Sequence, residues 1–318
     1  MNTNKQTMSE QILKATRDGF GEGIIQAGKL DKKVLALCCD LTESTRLNGF
    51  KNSFPDRFIE IGIAEQNMAG IAAGLALEGF VPFIASYAVF SPGRNWDQIR
   101  VSVCYSNLNV KIVGAHAGLS VGPDGATHQA LEDIAITRVL PNMLVVNPCD
   151  YIEAKKATIA IAKHVGPSYI RLARSNTPII TRKDDTFTLG KANILKKGDK
   201  LTLISSGPIL SEVLKAVNDI EGVEVINLHT IKPIDKETIL SSVKKTNKVV
   251  TVEEHQVAGG VGSAVSELLS SWYPVKVKML GVNDSFGESG QPDELWRKFG
   301  IDSKSIKLQV INFLKEDV

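Results

Sequence analysis

Short apolar runs recur through the first part of the chain: KVLALCC (33–39), RFIEIGI (57–63), VPFIASY (81–87), NVKIVGA (109–115), MLVVNP (143–148) and SYIRLA (168–173). Each has strand length and little alternation of polar with apolar positions, the mark of a strand buried on both faces. Between or beside them, residues 10–28, 65–79, 94–106, 128–140 and 151–165 carry apolar positions at helical spacing. Buried strands interleaved with helices predict an α/β fold with a mainly parallel sheet covered on both sides. From Ser175 to about Lys191 the periodicity weakens and charges collect, and then the alternation restarts. Strands are predicted at 200–207, 223–229, 248–255 and 275–281, with helices at 209–220, 236–246 and 259–272. The expected organisation is two doubly wound, mainly parallel-sheet domains, residues 1–180 and 191–318, joined by a linker at 181–190.

Composition narrows the class without naming a chemistry. In 318 residues, 43% hydrophobic and 23% charged side chains are ordinary for a globular protein. A net charge of +2 leaves no electrostatic footprint for nucleic acid or an anionic membrane. No apolar stretch approaches the ~20 residues that span a bilayer, and the polar start MNTNKQTMSEQ has no signal-peptide core. Cys38, Cys39, Cys104 and Cys149 have no Cys-x-x-Cys spacing, and most lie in or beside apolar runs. A reduced, cytoplasmic protein is expected.

Ligands of open α/β sheets bind beyond the carboxyl ends of the strands, and chemistry-bearing residues collect there. KVLALCC runs into Asp40-Leu41-Thr42-Glu43-Ser44, RFIEIGI into Ala64-Glu65, VPFIASY towards Phe90, NVKIVGA into His116, and SYIRLA into Arg174. Chance supplies one or two such placements; five favour a site. Residues 116–129, HAGLSVGPDGATHQ, spend two of the five histidines, His116 and His128, on a glycine-rich loop together with Asp124. Taken alone this is an ordinary surface loop. Glu65 opens a helix whose small residues, AGIAAGLA, allow close approach of another helix. Its carboxyl suits the helix dipole, and wedged into a packed contact it would lose water, which favours the protonated acid. Phe90 is most simply a core ring and Arg17 a surface cation. GGVG at 259–262 matches neither a P-loop nor a dinucleotide fingerprint. No His, Cys or carboxylate cluster has metal-ligand spacing, so no metal-binding residue is expected in this chain.

Together, IGIAEQNMAGIAAGLA, HAGLSVGPDGATHQALEDIA and EEHQVAGGVGSAV resemble the C-terminal half of transketolase, and more closely the separate C-terminal subunit of split transketolases. The resemblance covers nearly the whole chain. It implies a thiamine diphosphate pyrimidine-binding domain followed by the family's C-terminal domain, and transfer of a two-carbon glycolaldehyde unit from a ketose phosphate to an aldose phosphate. Residue by residue, it makes Glu65 the acid that protonates the aminopyrimidine ring and so promotes loss of the thiazolium C2 proton. Phe90 becomes the ring stacked on the pyrimidine, and Asp40 and Leu41 line the cofactor. His116 and His128 contact the sugar oxygens and assist proton transfer, while Asp124 reads the donor's C2 hydroxyl. Arg17, Ser44, His116 and Arg174 would receive the terminal phosphate.

The sequence also departs from the family pattern. Pro123 stands where a glutamate is common, Ser91-Pro92-Gly93 follows Phe90 where aromatics often flank it, and Gln66 follows Glu65 where many full-length enzymes have histidine. The Gly-Asp-Gly motif that holds the diphosphate and Mg²⁺ is missing from these residues. The resemblance therefore implies an N-terminal partner subunit carrying the Mg²⁺ ligands, in an α2β2 heterotetramer. Rival readings are the β subunit of a 2-oxo acid dehydrogenase, half of a deoxyxylulose-phosphate synthase, and a regulatory or scaffolding subunit.

Overall fold

A computed structural model describes residues 12–316. The first unit begins with β1 (Leu13–Lys14) and α1 (Thr16–Leu30), followed by β2 (Val34–Cys38), α2 (Asn48–Ser53), β3 (Phe58–Glu60), α3 (Glu65–Leu77) and β4 (Val81–Tyr87). It continues through α4 (Trp96–Gln98), β5 (Lys111–Ala115), α5 (Asp133–Arg138), β6 (Leu144–Val146), α6 (Tyr151–Lys163), β7 (Ser168–Arg171) and β8 (Thr177–Pro178). Strands β2 to β7 form a parallel sheet in the order β6-β7-β5-β4-β2-β3. The order reverses beside β2: the chain steps out to β3 and returns through α3 to β4. That reversal opens a crevice at the carboxyl ends of β2 and β4. The register keeps those ends level, pairing Cys38 with both Glu60 and Ala85, Tyr87 with Ala115, and Gly114 with Arg171.

Several predicted helices have different bounds. The first begins at Thr16, because Ala15 is extended, its N–H donates to Asp18 Oδ2 at 3.3 Å, and Leu13–Lys14 pair antiparallel with Thr177–Pro178. Glu10 and Gln11, placed in that helix from the sequence, lie outside the described residues. Residues 94–106 form only one short α-turn before π-helical winding over Ile99–Tyr105. The helix expected at 128–140 shrinks to α5, since Ala130 bridges Ala117 and holds the preceding segment extended. Close packing of α1 on α6 is permitted by Gly19 and Gly23, where a Cβ would strike Tyr151 and Thr158. This contact seats Arg17 at the sheet's carboxyl edge.

The second unit contains β9 (Asn193–Lys196), β10 (Leu201–Ser205), α7 (Leu210–Ala216), β11 (Val223–Asn227), β12 (Thr230–Lys232), α8 (Lys236–Thr246), β13 (Val249–Gln256), α9 (Val261–Trp272) and β14 (Val277–Val282). Its sheet runs β14-β13-β10-β11-β9, parallel except for edge strand β9. Two helices unread in the sequence, α10 (Pro292–Lys298) and α11 (Ser303–Lys315), close the chain. They bury Leu295, Trp296, Ile306, Val310 and Phe313 against this sheet's core. β12 does not join the second sheet: it pairs antiparallel with β6 and forms the seventh strand of the first. The α/β class with mainly parallel sheets is as expected. Among the described residues, no helix is long and apolar enough to cross a membrane.

Candidate active site

At the end of β2, Asp40 takes a left-handed conformation (φ 56°). Its N–H donates to Glu60 Oε1 at 2.7 Å, and the same carboxylate accepts from Thr42 Oγ1 and the Gly62 amide. Glu60, not singled out from the sequence, thus holds the loop that carries Asp40 and Leu41. Its one legible signal was an acid inside the apolar run RFIEIGI. Leu41 packs half-buried against the core that contains Phe50.

Glu65 begins α3 and is only 4% exposed. Arg94 Nη1 donates to its Oε2 at 3.3 Å and Ser86 Oγ to its Oε1 at 3.5 Å. A cavity of about 500 Å³ is bordered by Ile63, Ala64, Glu65, Gln66, Asn67 and Arg94. The guanidinium of Arg94 also covers the Phe90 ring, 4.0 Å from its centroid. One planar cation therefore touches both Phe90 and Glu65, a link that spacing alone could not reveal. A second cleft of about 470 Å³ at Lys215, Trp296 and Arg297 shares no residue with this site.

From Phe90 the contacts continue inward. Its ring stacks with Tyr87 (5.9 Å), and Tyr87 stacks on His116 (3.9 Å, 26°). His128 meets Phe90 and Tyr87 edge-on, at 5.6 and 6.0 Å, with Thr127 Oγ1 2.9 Å from its Nδ1. His116 is buried and left-handed (φ 54°), a conformation uncommon outside glycine and often found at functional sites. Arg17 Nη1 lies 3.2 Å from His116 Nε2 and also donates to the Ser44 carbonyl at 3.1 Å. A guanidinium has no acceptor, so Nε2 accepts and Nδ1 carries the proton. That buried Nδ1 has no partner in the chain. Burial, reinforced by the Arg17 and Arg174 charges, pushes the His116 pKa down to about 3, so the ring is neutral. Arg174 Nη1 donates to the Val121 carbonyl at 2.7 Å and pairs with Asp124 at 3.3 Å. Thr16 Oγ1 accepts the Ala173 N–H at 2.8 Å and so joins the Arg17 and Arg174 segments.

The structure thus connects Glu65, Phe90, His116, His128, Arg17 and Ser44 through one run of contacts. Asp124 and Arg174 form a pair at its side, and Asp40 with Leu41 stands on the β2 side. Two family models match the chain: "Transketolase, pyrimidine binding domain" over residues 13–179 and "Transketolase, C-terminal domain" over 190–306. The chain belongs to the transketolase family. It is 43% identical to a putative transketolase C-terminal section of Methanocaldococcus jannaschii, over 96% of this chain and 98% of that one. It is 40% identical to the 6-deoxy-6-sulfo-D-fructose transketolase subunit SqwH of Clostridium sp. (strain MSTE9), over 91% of each. Among solved structures, a split-gene transketolase described as an inactive β4 tetramer superposes with a TM-score of 0.88 at 41% identity, covering 94% of this chain and 98% of that one. The resemblance to C-terminal subunits of split transketolases therefore holds along the chain. Membership of the transketolase family implies dependence on thiamine diphosphate.

Proposed function

We propose that this chain is the pyrimidine-side subunit of a two-chain transketolase, transferring a two-carbon ketol unit from a ketose to an aldose. The observation that carries the reading is the placement of Glu65: a buried carboxyl on the first turn of α3, open to a cavity, one side chain away from Phe90. The residues present fit the pyrimidine side of thiamine diphosphate. Glu65 offers a carboxyl to a ring nitrogen, Phe90 an aromatic face, and the Asp40–Leu41 turn a wall on the β2 side. When bound, that cofactor supplies the electron sink for carbon–carbon cleavage.

This chain's own groups then have separable tasks. Glu65 would face the aminopyrimidine ring nitrogen and, once Arg94 leaves its Oε2, share a proton with it. Neutral His116 keeps its unpartnered Nδ1–H to donate to a sugar oxygen, and an uncharged imidazole can do so without losing a buried charge. His128, on the same aromatic cluster, exchanges protons with a second hydroxyl. Arg17, Ser44, His116 and Arg174 meet a terminal anion, phosphate or sulfonate, with guanidiniums suited to bidentate contact. Asp124 is the acceptor for a donor hydroxyl once Arg174 turns to that anion.

The partner supplies what these residues lack. We assign the Mg²⁺ and diphosphate ligands to an N-terminal subunit in an α2β2 assembly. The docking face is the outer side of α3. A Cβ added at Gly70 or Gly74 meets nothing within 4 Å, and Ile63 and Leu77 are 74% and 71% exposed. Free, buried cysteines fit a reducing cytoplasm. Native mass spectrometry of the tagged chain from its own cells tests the reading. The expected result is a complex with a second chain that releases thiamine diphosphate on denaturation. Robust ketol transfer by this chain alone would overturn it.

A further inference from the structure

The loop carrying His116, Asp124 and His128 is fastened from both units: Arg174 and Ser175 of the first hold the Val121 and Ser120 carbonyls, and the second holds the loop's amides and turns. Glu254, at the end of β13 and 3% exposed, accepts the Ser120 N–H through Oε1. Its carboxyl fills the space beside Gly118, where a Cβ would come within 2.7 Å of it. The Glu254 backbone carbonyl is held in turn by Arg171 Nη2 at 2.9 Å. Further along the loop, Gln129 Nε2 donates to the carbonyls of Leu119, Gly122 and Glu288, and Ser289 Oγ donates to that of Pro123. Gly122 and Gly125 turn (φ 82° and 76°) against Pro292, Gly290 and Ser289. The loop's exit is fixed by the Gln256 N–H on the Leu131 carbonyl at 2.8 Å.

We infer that the second unit acts as a clamp on the substrate loop, with Glu254 a positioning residue that orients His116 and Asp124 through the Ser120 amide. A loop with three glycines between residues 118 and 125, left to itself, would sample many conformations; it is fixed at both ends of the segment that holds Asp124. His116 lies four residues before the amide that Glu254 holds, in a left-handed turn that relaxes when that anchor is lost. Asp124 lies between the Ser120 and Gln129 anchors. The inference rests on the proposed transketolase reading for its catalytic consequence, but not for the clamp itself.

The experiment separates the two. In the free, full-length chain, Glu254→Ala should raise amide exchange across residues 118–125 at least tenfold while leaving β14 and α11 protected. Glu254→Gln keeps an acceptor at Oε1 and should stay within about threefold of wild type. Ser289→Ala, at an exposed side chain, should loosen residues 122–125 without unfolding risk. In the assembled complex, Glu254→Ala should lower kcat/KM for ketol transfer tenfold or more, without weakening thiamine diphosphate binding, and Glu254→Gln should restore it. Unchanged exchange in both Glu254→Ala and Ser289→Ala overturns the clamp. A Glu254→Gln variant as impaired as Glu254→Ala overturns the role of the acceptor. Loosened exchange in an assembled complex that has no ketol transfer even as wild type upholds the clamp and instead removes the reaction assigned to the site.

Discussion

Gly70 and Gly74 lie one turn apart on α3, and a methyl group at either position meets nothing in the chain. Replacing both by alanine therefore costs the free chain no packing. Glycine in a helix interior is less favourable than alanine by about 0.8–1.0 kcal/mol, so the double substitution should stabilise the isolated chain by about 2 kcal/mol. In the assembly the sign reverses. Glycines on an otherwise unoccupied helix face, flanked by exposed Ile63 and Leu77, allow a partner backbone to come close, and each methyl added to such a contact costs about 1–3 kcal/mol through overpacking. Two of them weaken association by about 2–6 kcal/mol, at least tenfold in dissociation constant. Urea unfolding of the free chain at two protein concentrations reads the first effect and exposes any self-association through the same face. Sedimentation velocity with the N-terminal partner reads the second. A destabilised free chain would show that the face is already covered. Unchanged assembly would show that the partner docks elsewhere.

Glu65→Ala should lower turnover of the complex at least a hundredfold, the lower end of general acid–base contributions, with assembly intact; unimpaired turnover removes Glu65 from the mechanism. Arg94→Ala uncovers Phe90 and frees Glu65, removing about 1–2 kcal/mol of cation–π and ion-pair contact. Fluorescence titration should then show thiamine diphosphate binding about five- to thirtyfold tighter, and weaker binding would make Arg94 a cofactor ligand instead. For His116, long-range ¹⁵N NMR should report a neutral ring protonated at Nδ1 from pH 8 down to 5, because its pKa is pushed down to about 3; a doubly protonated ring at pH 5.5 contradicts the burial argument. His229 is fully buried with its pKa lowered to about 4 by burial. The unfolded chain takes up this proton below about pH 6.5 and the folded chain does not, so stability is lost as pH falls from 6.5 towards 4. Relative to His229→Gln, wild type should lose about 1.2 kcal/mol between pH 6 and 5, and a pH-independent difference would refute the assignment.

The parallel strands were legible because burial on both faces leaves uninterrupted apolar runs, and the rule of carboxyl ends then gathered Asp40, Glu65, Phe90, His116 and Arg174 without any through-space information. RFIEIGI yielded only the three-residue β3, since Gly62 turns the chain at φ 77°. What stayed hidden is pairing between distant residues. Arg94 meets Glu65 across 29 positions and Glu254 meets Ser120 across 134, and no periodicity records either. The small residues of α3 were visible, but not their division. Ala69, Ala72 and Ala73 pack inward on this chain's own sheet, while the two glycines face outward. The helices α10 and α11 went unread although their buried residues recur at helical intervals.

The strand β12 bears on how such chains can be recombined. Thr230 and Lys232 pair with Val146 and Val145, the Asn147 amide donates to the His229 carbonyl at 2.9 Å, and Lys232 Nζ caps the Arg138 and Leu140 carbonyls. A chimera spliced in the segment near residue 185 would take this strand from one parent and β6 from the other, or leave β6 as a bare edge able to recruit another chain. A crossover beyond Lys232 keeps the first sheet whole but parts β10 from its neighbour β13, so the two sheets are exchanged intact only when the chain is exchanged as one piece.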